Sequence, residues 1–208
     1  MKKIIIAAAM TLSSFALAAG YEIDSEHANA NFAVKHLGIN TVNGSLGTVT
    51  GKVNIDDKDI TKSSVDVSID PAAIYTGVAK RDGHLKSPDF FDVEKFKAVT
   101  FKSTKFEKNG DKLKITGDLT IKGTTKPVTL EATLSAEGPH AWPGKLVRAV
   151  SATGSINRDD FGLTWQVPGV EAFKVVGKEV KLAIDVELNR ADPAAKPAEK
   201  PAAAPAKK

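Results

Sequence analysis

Arg81, Asp82 and His84 place a fixed cation, a carboxylate and an imidazole within four positions, and two aromatic rings, Phe90 and Phe91, follow them. If the segment from Thr76 to Lys86 takes a helical turn or two, Arg81 and His84 stand at i and i+3. They then face one ligand group while Val78, Asp82 and Leu85 take another face. That arrangement suits a clamp on a polar head. Two other roles are open to the same residues: His84 or Asp82 as acid or base, and Arg81 or Asp82 as hydrogen-bonding pins for the segment itself. Ser87, Pro88 and Asp89 read as a helix start, with a capping hydroxyl, proline at the first position and an acid near the positive end, and such a start would aim Phe90 and Phe91.

The rest of the chain offers little catalytic chemistry. It contains no cysteine, so thiolate metal sites, disulfides and cysteine nucleophiles are excluded. Of the other histidines, His27 and His140 are expected in surface or turn positions, and His36 falls on an apolar strand face as a hydrogen-bonded core residue. No two histidines have helical zinc spacing, and no nucleophile elbow, P-loop or dinucleotide fingerprint occurs. Nothing favours a triad assembled from distant residues. The expectation is a binding protein without a metal or cofactor, not an enzyme.

Strands must position these residues. From Tyr21 to Arg190 apolar and polar residues alternate with a period near two, as in Leu113, Ile115, Gly117, Leu119, Ile121 and again in Val180, Leu182, Ile184, Val186, Leu188. About eight such runs of roughly eight to ten residues are joined by short turns, read at Asn43-Gly44, Asp56-Asp57-Lys58, Asn109-Gly110-Asp111 and Lys122-Gly123-Thr124. An all-β, extended antiparallel barrel of about eight strands with a short helical insertion is predicted, because closure removes the sheet edges. Its inner face is read as rich in small residues: Ala30, Gly51, Ser103, Gly117, Ala132, Ala149, Ser151 and Thr153. Either an apolar cavity holds a small ligand, or loops and the Phe-rich insertion fill the space.

The two ends differ from this body. Residues 1–18 combine Lys2-Lys3, a fourteen-residue apolar run from Ile4 to Leu17 and a small-residue cleavage pattern, and are expected to be a cleaved secretory signal that leaves no transmembrane segment. Residues 191–208 repeat proline every fourth position and are expected to be an extended or disordered tail, either merely solvated or in weak contact with an anionic envelope surface. Two of the 29 basic residues lie in the leader and four in the tail, and two of the 25 acidic residues lie in the tail, which leaves 23 of each in the domain 19–190. A neutral body gives no support for nucleic-acid binding.

Several segments together resemble the YceI family of exported lipocalin-like proteins. They are Tyr21-Glu22-Ile23-Asp24 with His27, Phe32 to His36, Asn43-Gly44, Thr76 to Asp92, Thr100 to Thr104, Gly117 to Gly123, and Ile156 to Gly162. Ala28 and Lys97 depart from the family's usual serine and proline, and the tail lies outside its pattern. The resemblance implies a periplasmic, lipocalin-like barrel that holds a polyisoprenoid chain, a prenyl quinone or polyprenyl lipid, with a link to envelope stress. For such a ligand, Arg81, His84 and Arg158 are the candidates for the head group, with Asp82 and Asp160 as their orienters. Phe32, Val34, Leu85, Phe90, Phe91, Phe101, Leu119, Phe161 and Trp165 are the candidates for the apolar lining. Two other classes stay open: a lipid-modifying enzyme using His84 and Asp82, and an envelope structural protein tethered by its basic tail. The oligomeric state is open as well, a homodimer among the options.

Overall fold

The structure is a computed structural model, and it describes residues 18–141, 144–167, 169 and 175–191. The leader, apart from its last residue, and the tail, apart from its first, lie outside the described residues. The order of elements is β1 (Ala19–His36), β2 (Asn40–Ser45), β3 (Thr48–Ile55), β4 (Ser64–Asp70), α1 (Ala79–Lys86), β5 (Val99–Asn109), β6 (Lys112–Ile121), β7 (Thr124–Leu134), β8 (Gly138–Pro139), β9 (Leu146–Asn157) and β10 (Val176–Arg190). Every pairing is antiparallel. Strands β10, β1, β3, β4, β5, β6, β7 and β9 follow one another around the sheet, and β9 pairs back onto β10. Eight strands thus close an all-β barrel, and α1 is the one short α-helix among the described residues. β2 and β8 are accessories to β1 and β9.

The alternation places the branched residues inward, and the barrel is longer than strands of eight to ten residues would make it. β1 runs for 18 residues and β10 for 15. β1 achieves this by changing partner: Ala19 to Glu22 pair with β3, whereas Asn31 to His36 pair with β2. Between the two halves the register against β10 jumps from Ile23 to Ala28, so residues 24–27 bulge from the ladder.

Four expectations need correction. Asn43-Gly44 is not a turn but part of β2; the turn is Leu37-Gly38-Ile39. Glycine suits position 44 because the Phe32 ring lies where a Cβ would stand, 2.7 Å from it. β9 turns its other face inward: Arg148, Val150 and Ala152 are covered, and Ala149, Ser151 and Thr153 are exposed. Small polar residues alternating with alanine carry almost no amphipathic signal, so one step of register was invisible. His36 is exposed at the end of β1 and is not a core residue. Ser87 starts no helix. It terminates α1, its N–H bonding His84 O, and residues 88–95 fold into turns.

The segment between β4 and β5 closes one end of the barrel. Tyr75 bridges to Ser45 of β2, and α1 follows. This helix is weak by itself: it has eight residues, contains Gly83 and begins at Val78 without a side-chain cap. Tertiary bonds hold it. The backbone amides of Phe91 and Val93 return to Leu85 O and Lys86 O at 3.0 Å, and Lys122 of the β6–β7 turn donates to Pro88 O at 2.6 Å.

Candidate functional site

The inward faces of all eight barrel strands do not meet. They enclose a cavity of about 190 Å³ that presents no polar surface. Apart from Arg158, its wall is aliphatic and aromatic from Ile23 and Ile55 near one end to Phe91 and Val176 near the other. Along β10 the lining runs from Val176 to Val186, roughly 33 Å at the usual rise per residue and roughly 25 Å along a barrel axis at ordinary strand tilt. The space is therefore long and narrow. Small residues open it locally: Ala132 and Ala152 are register partners on β7 and β9, and both line it.

Seven of the nine expected lining residues border this cavity: Phe32, Val34, Leu85, Phe90, Phe91, Phe101 and Leu119. Phe161 and Trp165 do not. Phe161 is fully buried in the core behind the wall, and Trp165 packs on the closing segment, its ring 4.7 Å from His84 and 5.5 Å from Phe90. Gly117 is inward-facing but gives up its space to Phe101, whose ring lies 2.5 Å from where a Cβ would stand. Leu85, Phe90 and Phe91 come from the segment after β4, so that segment forms one end wall and acts as a lid.

The polar residues of the lid are turned mostly on the lid itself. Asp82 is buried and accepts from both the backbone N–H and the hydroxyl of Thr76. Arg81 donates through Nε to Thr76 Oγ1 at 2.7 Å and through its terminal nitrogen to Thr76 O at 2.9 Å. Both residues thus fasten α1 to the strand-like entry at Thr76. His84 bonds Asp89, not Asp82, at 2.8 Å, and sets its ring edge-on to Phe90 and Trp165. It keeps 38% of its side chain exposed at the rim.

Arg158, only 3% exposed, is held by carbonyl groups. It donates to the backbone oxygens of Gly177 (2.9 Å), Val176 (3.1 Å), Trp165 (3.2 Å) and Leu163. Burial pulls its pKa down, an effect that neighbouring Asp159 opposes. Asp160 does not orient it: Asp160 is exposed and receives a bond from Asn157, and the acid nearest Arg158 is Asp159, itself bound by Lys178 at 2.6 Å. A guanidinium stapled to four carbonyls fixes the chain entering β10 against the turn after β9.

The opposite end of the barrel carries a network that the sequence reading missed. Tyr21, almost wholly buried, donates to Glu137 Oε1 at 2.5 Å and accepts from Arg148 Nε at 2.9 Å. Arg148 also donates through one terminal nitrogen to both carboxylate oxygens of Asp57, at 2.8 and 2.7 Å, and Arg190 binds Glu137 at 2.8 Å. Burial, then the bond to Glu137, raises the Tyr21 pKa. The missed signal was Arg148, the one charged residue of β9, which reads as outward when the strand is placed one step out of register.

Asp24, His27 and Glu187 gather at the β1 bulge, next in sequence to the lining residues Ile23 and Val186. Their bond of 3.0 Å from His27 Nδ1 to Asp24 raises the His27 pKa and lowers that of Asp24. No helix among the described residues is long and apolar enough to cross a membrane.

Comparison with known proteins agrees with this architecture. The family model described as a YceI-like domain matches residues 21–188. Protein YceI of Salmonella arizonae is 39% identical over 184 residues, which are 88% of this chain and 93% of that protein. Among solved structures, BcnA of Burkholderia cenocepacia superposes with a TM-score of 0.69 at 21% identity, over 79% of this chain and 98% of its own. A polyisoprenoid-binding domain from Saccharophagus degradans, implicated in plant cell wall breakdown, superposes with a TM-score of 0.59 at 16% identity, over 84% and 99%. At those identities the two structures establish the shared fold, whereas the family match and the Salmonella relative establish kinship: this chain belongs to the YceI family.

Proposed function

We propose that this protein binds and carries a polyisoprenoid lipid, a prenyl quinone or polyprenyl chain, in the barrel lumen. The observation that carries the reading is the cavity: long, narrow and without polar surface. A chain that buries on the order of 500 Å² of apolar surface gains roughly 12 kcal/mol of gross transfer free energy, several kcal/mol of which offset the loss of its motion. No polar group is needed along the chain, so length and thinness select the ligand. The fold match to the polyisoprenoid-binding domain is consistent with this class.

The lid end is where a polar head would emerge. Of the residues assigned to it, His84 keeps an exposed edge, whereas Arg81, Asp82 and Arg158 act by holding the lid and its neighbour in place, and Asp160 lies outside on the rim. Loading then requires the lid to part from Trp165 and from the β6–β7 turn. Residues 1–18 would direct the chain to the periplasm, and the tail would add a weak electrostatic contact with the envelope. Binding without turnover fits a site in which His84 bonds Asp89 and the nearby Ser87 hydroxyl accepts from the Asp89 backbone N–H, a contact that holds the turn. Organic extraction of protein purified from its native host, followed by mass spectrometry, should recover an isoprenoid. Repeated recovery of no lipid from such preparations would overturn the reading.

A further inference from the structure

The β1–β2 turn holds two aliphatic side chains that the barrel does not use. Ile39 is 82% exposed and Leu37 46%, and Ile39 is the most exposed large hydrophobic residue among those described. Leu37 adopts φ 53°, a left-handed conformation that sterically favours glycine, asparagine or aspartate. The turn is nonetheless fixed: Leu37 N–H donates to Val175 O at 2.9 Å, and Ile39 N–H to His36 O at 3.2 Å. Folding free energy is thus spent to keep apolar surface in water at one defined point.

Position and charge say what that point suits. Val175, which anchors Leu37, adjoins Val176 of the cavity wall, so the turn stands at the lid end of the barrel. The hairpin from position 35 to 45 carries Lys35 and His36, both exposed, and no acid. An apolar tip above Lys35, with no acid on the hairpin, matches a bilayer with anionic head groups: the aliphatic side chains reach the acyl boundary while the ammonium stays with the phosphates. A second copy of the chain would reward the apolar tip but not Lys35.

We propose that Leu37-Gly38-Ile39 is a docking tip that seats the lid end of the barrel on an anionic phospholipid bilayer. The tip and the cargo are independent, since docking needs no particular ligand in the lumen. The test is flotation of the full chain with vesicles of phosphatidylethanolamine and phosphatidylglycerol, set against vesicles of phosphatidylcholine alone. Leu37→Asn relieves the left-handed backbone, so the double variant Leu37→Asn/Ile39→Ser should keep its melting temperature. The native chain should float with the anionic vesicles, and the double variant should bind them about ten-fold less tightly or worse. Equal binding by native chain and folded variant would overturn the proposal, as would failure of the native chain to float. A native dimer dissolved by the same substitutions, without vesicle binding, would overturn it in favour of a second copy. Lipid extracted from the same samples separates the two readings: a loaded chain that ignores vesicles refutes the docking tip alone.

Discussion

Ala152→Leu tests whether the lumen is space kept for a ligand. Ala152 is buried, lines the cavity and faces Ala132 across the β7–β9 ladder, so a larger side chain there enters the narrow space between two strands. An apolar void of about 190 Å³ costs an empty barrel about 5 kcal/mol at the usual penalty per unit volume. Three added carbons recover roughly 2 kcal/mol of this if they sit without strain. For a chain of this size that raises the melting temperature by about 4–8 °C. The same leucine obstructs a threaded chain, so lipid per mole of protein should fall. The assay is calorimetry on delipidated native and variant protein, with quantitative extraction of both as isolated and exposed Ala149→Leu on the same strand as control. A delipidated variant that melts lower would show a core already filled, since overpacking costs about 1–3 kcal/mol. Unchanged lipid load would show that the ligand does not pass this point. Either result refutes the reasoning.

Other consequences are equally concrete. Arg158→Lys should destabilise the fold by roughly 3 kcal/mol in urea titrations, because an ammonium cannot serve the carbonyls of Gly177, Val176, Trp165 and Leu163 at once. At the other end, Arg148→Ala should cost about 2 kcal/mol, whereas Asp57→Asn should cost under about 1 kcal/mol because Asp57 is 60% exposed, a contrast urea denaturation resolves. His27 should titrate above its ordinary value of 6.5 by NMR, through its bond to Asp24. The stability it contributes is present below that value and fades as pH rises through the folded pKa, while Asp24, held low, loses its share as pH falls through its own. Asp24→Asn should return His27 toward 6.5.

Legibility of the fold followed amphipathicity. β6, β7 and β10 alternate bulky aliphatics with charges, and their inner faces were readable residue by residue. β9 offers Ala149, Ser151 and Thr153 against Arg148, Val150 and Ala152, a contrast too small to set its register, and the buried network around Arg148 vanished with it. Asn43-Gly44 has the chemistry of a tight turn, but the need to clear the Phe32 ring put its glycine inside β2. The true turn uses Leu37, a residue no turn preference selects. At the site, Phe32, Val34, Phe101 and Leu119 were readable from strand alternation, whereas Phe161 and Trp165 follow β9 in a segment without that alternation and lie off the lining. The roles of Arg81, Asp82 and Arg158 were not readable, because whether a charged group faces a ligand or its own backbone depends on distances that spacing does not encode.

Native mass spectrometry of the intact protein from its own host tests the central claim most directly. The account predicts one isoprenoid adduct per barrel, removed by organic extraction and much reduced in Ala152→Leu. A bare protein mass in every preparation, with a delipidated form no less stable than the protein as isolated, would contradict it.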